Sequence, residues 1–383
     1  MRLRRRDDDL RPVEELDYRR GNLVLRWNRP STGTLRLSSE EARNVERGSG
    51  LLLDIGGDVV WSGSVVEWRR ADTPDDDVVE LTVRGDMALL EGRLAYPDHE
   101  TPADGDQPDR MDRSGPAGEV LAEMVRRHAG EDALPGRQID ALTVDDADGV
   151  GDTVRARRRY PVVAEEVERL GRKGGVVCSL QQCDDTLSLA FRVAQQRDRR
   201  RDVVFSRPRG TLVDVEAEFI APQATVAIVA GPGEGSDRLI VEVADDDAVD
   251  EWGRIETWVD ARNAADPDDP EDDQIDDLQE RGEDELDDKA ADDALSLTIV
   301  EAQSARWRHD WQIGDVVTVD IDGEQITKVV EEVEVQIEPG DGPDGAAAIT
   351  AKPTLGRRSP TRSLRVVEEL RDLQQRVTLR GKD

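Results

Sequence analysis

Two cysteines, Cys178 and Cys183, three histidines, His99, His128 and His309, and 86 acidic residues are the side chains with which this 383-residue sequence could do chemistry. A structural zinc needs about four ligands in close Cys or His pairs. The histidines are scattered and the two cysteines have no third or fourth partner, so a His/Cys metal site is not expected. Nor can two cysteines build a disulfide framework; they read as free thiols in or beside a strand hairpin. Runs such as Asp75-Asp76-Asp77 and Asp245-Asp246-Asp247 could hold cations weakly. Neither has the alternating ligands and glycine of an EF-hand, and among so many carboxylates they read as solvated surface. Gly231-Pro232-Gly233-Glu234-Gly235 spaces its glycines as G-x-G-x-G and is followed by strand-like Leu239-Ile240-Val241. A dinucleotide loop requires G-x-G-x-x-G and a helix, so this is a loop between strands. Gly171-Arg172-Lys173-Gly174-Gly175 lacks the Lys-Ser/Thr of a phosphate loop and reads as a helix stop. There is no G-x-S-x-G elbow and no H-E-x-x-H. No catalytic, cofactor-binding or metal-ligating residue is assigned, and no cofactor is expected.

Two clusters stand out by their sign. Arg155, Arg157, Arg158 and Arg159 form one, and Arg197, Arg199, Arg200 and Arg201 the other. Guanidinium forks bind carboxylates in two-pronged fashion. The clusters are therefore candidate contacts with an acidic neighbouring subunit; the alternative is pairing with carboxylates of the same chain.

The background to these clusters is a formal net charge of −34, from 52 basic and 86 acidic residues. A nucleic-acid binder needs a positive footprint, and an anionic membrane surface would repel this chain equally. Lysines are few, Lys173, Lys289, Lys328, Lys352 and Lys382, and aromatics make up 3%. Abundant Asp with scarce Lys resembles haloarchaeal composition. At about 1 M salt the Debye length is about 3 Å, so the self-repulsion nearly vanishes. No stretch approaches the roughly 18 apolar residues of a spanning helix, and the start of the sequence does not read as a signal peptide.

Short apolar runs supply the elements. Asn22–Trp27, Gly33–Leu37, Leu51–Ile55, Val59–Val66 and Val78–Val83 alternate or cluster as strands, with Gly56-Gly57 as a hairpin turn. Ser38 to Ala42 reads as a capped helical turn. Polar residues 98–114 are an acidic loop. Pro116 opens a helix whose apolar face is Val120, Leu121, Met124 and Val125. A second helix covers 162–170, followed by strands at 175–180 and 186–193. Strands resume at 203–206, 211–219, 225–230, 239–243, 295–300, 316–321, 326–337 and 346–351. An acidic segment with a helical core at Leu278, Leu286 and Ala290 interrupts them at 263–294. Val366, Leu370, Leu373 and Val377 give the C-terminal tail a heptad-like stripe too short to establish a coiled coil.

The expected chain is mainly β. It has a first β domain at 1–97, an α+β domain at 115–204, a second β domain at 205–353 carrying the insert 263–294, and a helical tail at 354–383.

The order of short motifs along the chain resembles the tail-tip hub proteins of long-tailed siphophages, the minor tail protein family, and at the architectural level the hubs of contractile baseplates. Trp61 and Gly63 fit an early W-x-G strand, and Gly85 and Asp86 a V-x-G-D element. Leu89 to Arg93 fits the close of the first domain. Val203-Val204-Phe205-Ser206 matches a V-x-F-S strand. Trp252, Gly253, Arg254 and Glu256 match a W-G-R-x-E box, and Gly314 and Asp315 a late G-D-x-V start. The resemblance covers about residues 15–350. It implies a non-enzymatic virion protein assembled in the host cytoplasm. The two β domains would be tube-like antiparallel barrels, and a homotrimer would form a pseudo-sixfold ring capping the tail tube. The partners implied are tail-tube, distal-tail and tape-measure proteins, with DNA passing through unbound and no membrane insertion. A tail-associated hydrolase acting on the host surface is the alternative.

Overall fold

The chain begins with a strand that its composition conceals. In the computed structural model, which describes residues 1–356 apart from 74–75, 109, 236–237, 263–269, 301–304 and 339–347, the run Arg2–Arg6 is β1. It is followed by β2 (Pro12–Leu16), β3 (Arg20–Arg26), β4 (Arg29–Ser38), β5 (Gly50–Ile55), β6 (Asp58–Thr73) and β7 (Asp76–Gly85). The expected hairpin is present: Ile55 faces Asp58 across Gly56 and Gly57, whose φ values of 67° and 98° suit the primed turns that match strand twist. The Ser38 Oγ accepts the Glu41 N–H at 3.2 Å just before the short turn Glu41–Asn44, whose own N-cap residue, Glu40, makes no side-chain cap. Leu3, Leu23, Leu35, Leu37, Leu51, Leu53, Leu81 and Val83 are buried, as the period-two pattern requires. In β1 only Leu3 and Arg6 are buried, and Arg2, Arg4 and Arg5 lie outward or half-buried. An arginine-rich strand of this kind gives no apolar alternation to read.

The middle of the chain is α+β. It contains β8 (Arg113–Pro116), α1 (Ala117–His128), β9 (Leu142–Val144), β10 (Thr153–Ala156), α2 (Val163–Lys173), β11 (Val176–Cys183) and β12 (Ser188–Gln195). The apolar face expected for α1 is buried. With Val167 and Leu170 of α2 and Phe191 of β12 it forms one core. Gly174 ends α2, its N–H returning to the Leu170 carbonyl at 2.8 Å. β11 and β12 are antiparallel, and β9 joins β12 in parallel.

Next come β13 (Val204–Ser206), β14 (Leu212–Ile220), β15 (Val226–Ala230), β16 (Ile240–Ala244), α3 (Asp246–Trp252), β17 (Glu256–Asp260), α4 (Glu271–Asp288), β18 (Asp292–Ile299), β19 (Val316–Ile321), β20 (Glu324–Glu338) and β21 (Ala348–Leu355). The strands of the two expected β regions form one sheet, in the order β14-β18-β21-β20-β3-β4-β7-β6-β5-β1-β2, with β19 on β20 and β13 on β19. The junction is β20. Its first half pairs with β19, while Glu332–Ile337 pairs with Arg26–Gly21 of β3 on one edge, and β21 lies on the other. A strand of 15 residues is long enough to hold different partners along its length.

The chain divides into two units. The first is Met1–Val215 with Ser296–Leu355, and the second is built from Glu216–Leu295. The acidic helix expected within 263–294 is α4. It belongs to a larger body in which it packs on the three-stranded sheet β16-β15-β17 through Leu278 and Leu286. Residues 263–269 of that segment, Asp75 of the first Asp run, and the expected tail helix beyond Gly356 lie outside the described residues.

Candidate functional site

The early motifs converge on one buried carboxylate. The β6–β7 register sets Gly63 opposite Gly85, and the turn Asp86–Gly92 begins there. Asp86, 4% exposed, accepts from Arg6 Nη1 at 3.0 Å and Nη2 at 2.5 Å, and from Ser62 Oγ at 2.5 Å. Arg6 also donates to Gln182 Oε1 at 2.9 Å, and Gln182 N donates to Ser62 Oγ at 2.9 Å. The network joins β1, β6, the 86–92 turn and β11. Beside it, Trp61 Nε1 donates to Ser31 Oγ at 2.8 Å. A Cβ at Gly63 would overlap the Arg84 carbonyl oxygen and approach the Trp61 ring; one at Gly85 would overlap Ser31 Oγ. Both glycines are therefore steric requirements of the packed indole.

The late motif anchors a second junction. Gly314, at φ 82°, lies where a Cβ would meet Val177 and the Trp27 ring. Asp315, 1% exposed, accepts from Arg197 Nε at 2.8 Å and Nη2 at 2.6 Å, and from the Gln312 N–H at 2.8 Å. Around it, Trp27 Nε1 and Asn28 Nδ2 both donate to the Val176 carbonyl, at 3.0 and 2.9 Å, and Asn28 Oδ1 accepts the Cys178 N–H at 2.7 Å. Arg172 lies 4.8 Å over the Trp27 ring and forks Glu331 at 2.7 and 2.5 Å. Residues from all three sequence regions meet here.

The W-G-R-x-E box is in the second unit. Gly253, at φ 78°, ends α3. Arg254 then spans two strands, forking Glu242 at 2.9 and 2.7 Å and reaching Glu256 at 2.6 Å. These hydrogen bonds, Glu242 first, raise the guanidinium further above its ordinary range. Trp252 stacks on Phe219 at 5.2 Å.

Most of the clustered arginines have partners within the chain. Arg155 forks Asp112 at 3.0 and 2.7 Å, with the nearly buried Arg157 4.0 Å from the same carboxylate. Arg158 reaches the buried Glu166 at 3.1 Å, and Arg159 lies 5.8 Å over Tyr160. Arg197 holds Asp315, Arg199 is 3.4 Å from Asp202, and Arg200 forks Asp198, holding that carboxyl at about 2. Arg201 is exposed.

The two cysteines differ in environment. Cys178 is buried, which pushes its thiol up; Cys183 is pulled down by a hydrogen bond with Thr186. No three His, Cys, Asp or Glu converge as a metal site among the described residues, and none of their helices is long and apolar enough to cross a membrane. A cavity of about 70 Å³ between the 96–113 segment and α1 is lined by Tyr96, His99, Met111, Met124 and His128. His128, 2% exposed, accepts the Tyr96 N–H at Nδ1, 3.3 Å away. Burial, and then the charges of Arg137, His99 and Arg127, hold its imidazole neutral down to about 3.

The model of the siphovirus ReqiPepy6 Gp37-like protein family matches residues 1–350. The chain belongs to this family. Its fold is shared with the 43 kDa tail protein of prophage MuSo2 from Shewanella oneidensis, at 14% identity, with 93% of this chain and 98% of that one covered and a TM-score of 0.56. A tail protein from Neisseria meningitidis MC58 follows at 13% identity, 93% and 96% coverage and a TM-score of 0.54. No curated protein matches the chain.

Within this family member, the early and late motif residues occupy packed junctions, whereas the W-G-R-x-E box is largely exposed. Trp61, Gly63, Gly85 and Asp86 come together in one, Gly314 and Asp315 define another, and Trp252, Gly253, Arg254 and Glu256 sit separately in the second unit. Sequence reasoning missed Arg6, Gln182, Asn28 and Glu331, the partners that complete the junctions. The only signal for Arg6 was an N-terminal basic run in an acidic chain.

Proposed function

We propose that the chain is a tail-tip or baseplate hub subunit. Three copies form a pseudo-sixfold ring in which the two β regions of each subunit alternate as tube-like barrels. The ring caps the tail tube around a channel for DNA and the tape-measure protein, and contacts tail-tube and distal-tail proteins. The observation that carries this reading is the β20–β3 pairing, which makes both β regions parts of one sheet. Among the described residues that sheet ends at two different strands, β2 and β14. Unlike edges suit a head-to-tail contact that closes into a ring and leaves no sheet edge open. Of the clustered arginines, Arg201, with Arg155 and Arg200 beside their carboxylates, would face a neighbour. The acidic composition belongs to a halophilic virus, and assembly takes place in the host cytoplasm.

The test is the particle formed by the full chain in about 2 M salt, where surface repulsion is screened. Light scattering is expected to give a trimer and cryo-electron microscopy a ring with a central opening. A persistent monomer at high concentration would overturn the reading. The hydrolase alternative has no observation in its favour.

A further inference from the structure

The cavity between the 96–113 segment and α1 holds a buried donor that the fold leaves unmet. His128 accepts the Tyr96 N–H at Nδ1, so its neutral ring carries the proton on Nε2. No hydrogen bond ties that Nε2–H to any described residue. His128 is 2% exposed, and it lines the cavity together with the His99 ring, whose centroid is 6.3 Å away in an edge-on arrangement. A buried donor without an acceptor carries the full cost of its desolvation, so the group that meets this one belongs in the cavity. A volume of about 70 Å³ is room for a water or a small ion.

Charge selects between the two. Asp112 and Glu123 line the cavity, but each is already held by guanidinium groups. Glu123 Oε1 is shared by Arg113 and by Arg127, the latter at 2.5 Å. Asp112 is forked by Arg155, with Arg157 4.0 Å from it. Arg137 lies over the Tyr96 ring, 3.6 Å from its centroid. Counting Asp98 beside His99, these five guanidiniums stand against three carboxylates, in a chain of 52 basic and 86 acidic residues. The charges of Arg137, His99 and Arg127, which help burial to hold the His128 ring neutral, are charges that an anion would offset. Met111 and Met124, two of the four methionines, give the cavity polarisable thioether walls suited to a weakly hydrated ion. We infer that this cavity is an anion site, taking one monovalent halide-type ion on the His128 Nε2–H with the Arg127 guanidinium beside it. Once occupied, it ties the 96–113 segment to α1.

Histidine-selective nitrogen-15 NMR on the full chain tests this, because only three histidines contribute signals. Potassium bromide replaces potassium fluoride stepwise at constant ionic strength, so that screening stays the same. His128 is expected to show the tautomer protonated at Nε2, and its Nε2 signal to shift with bromide and saturate. His309, exposed beside Arg306 and Asp310, is expected to move little. In an Arg127→Gln variant, half-saturation is expected to need about fivefold more bromide, since one nearby charge is gone. The thermal midpoint is expected to rise as bromide replaces fluoride in the unaltered chain, and not in a His128→Phe variant. The titration of the unaltered chain decides the question even where a variant misfolds. A His128 signal that ignores bromide overturns the inference and leaves the cavity to water. So does a shift that climbs without saturating and is matched at His309, or a His128 ring protonated at Nδ1.

Discussion

Asp86 shows how a single carboxylate is committed by burial. Both it and Arg6 are nearly sealed from water. Taking two ions out of water is repaid only when every hydrogen-bond position is used, which Ser62 and Gln182 make possible. Removing one partner leaves the other charge buried alone. Asp86→Ala is therefore expected to cost about 3–5 kcal/mol, read as a lower midpoint in denaturant unfolding, whereas Asp198→Ala at the exposed Arg200 pair is expected to change little. His128 titrates by the same logic. Its folded value is about 3 against 6.5 unfolded, so between those values the unfolded chain binds the extra proton. Stability is full above about pH 6.5 and is lost as pH falls toward 3, at up to about 1.4 kcal/mol per pH unit. A His128→Gln variant is expected to flatten that slope in unfolding measured from pH 7 to 4.

At the scale of elements, the long pair β6–β7 depends on small residues at one register position. The Gly63–Gly85 pair is where Trp61 and Ser31 pack against the strands. Gly63→Ala forces the Arg84 backbone or the indole to move, and overpacking of this sort costs about 1–3 kcal/mol. Gly92, with nothing near its absent Cβ, is the matched control, and Gly92→Ala is expected to be neutral or slightly stabilising. Thermal unfolding of the two variants side by side checks this; equal midpoints would refute the steric account. β20 makes a related point: its alternating burial is plain in the sequence, but alternation says nothing about which strand lies beside it.

Over the whole molecule, the charge is unevenly placed. About two-thirds of the net −34 resides in residues 216–295. Repulsion of that density is relieved by salt, since the Debye length falls from about 10 Å at 0.1 M to about 3 Å at 1 M. The midpoint of thermal unfolding is expected to rise between 0.1 and 2 M potassium chloride, and hydrogen exchange in 216–295 to slow more than in the first unit. A flat response would detach the acidic composition from a saline environment. The buried pairs at Asp86 and Asp315 are shielded from bulk ions, so the gain belongs to the surface.

Local chemistry was legible without a fold. Alternation located the hairpin at Gly56-Gly57, helical spacing found α1 and α2, glycine spacing excluded the phosphate loops, and the order of short motifs pointed to the family. These signals depend on neighbours a few residues apart, and such neighbours write their geometry into sequence. Tertiary structure alone decided that Arg6 meets Asp86, that Arg197 is tied to Asp315, that β20 lies beside β3, and that the acidic helix belongs to a larger unit beginning at Glu216. Each is a pairing across tens to hundreds of residues. In a chain with 86 carboxylates and an arginine at nearly every turn, composition offers too many equivalent partners, and only packing, with its demand that a buried charge be fully hydrogen-bonded, selects among them.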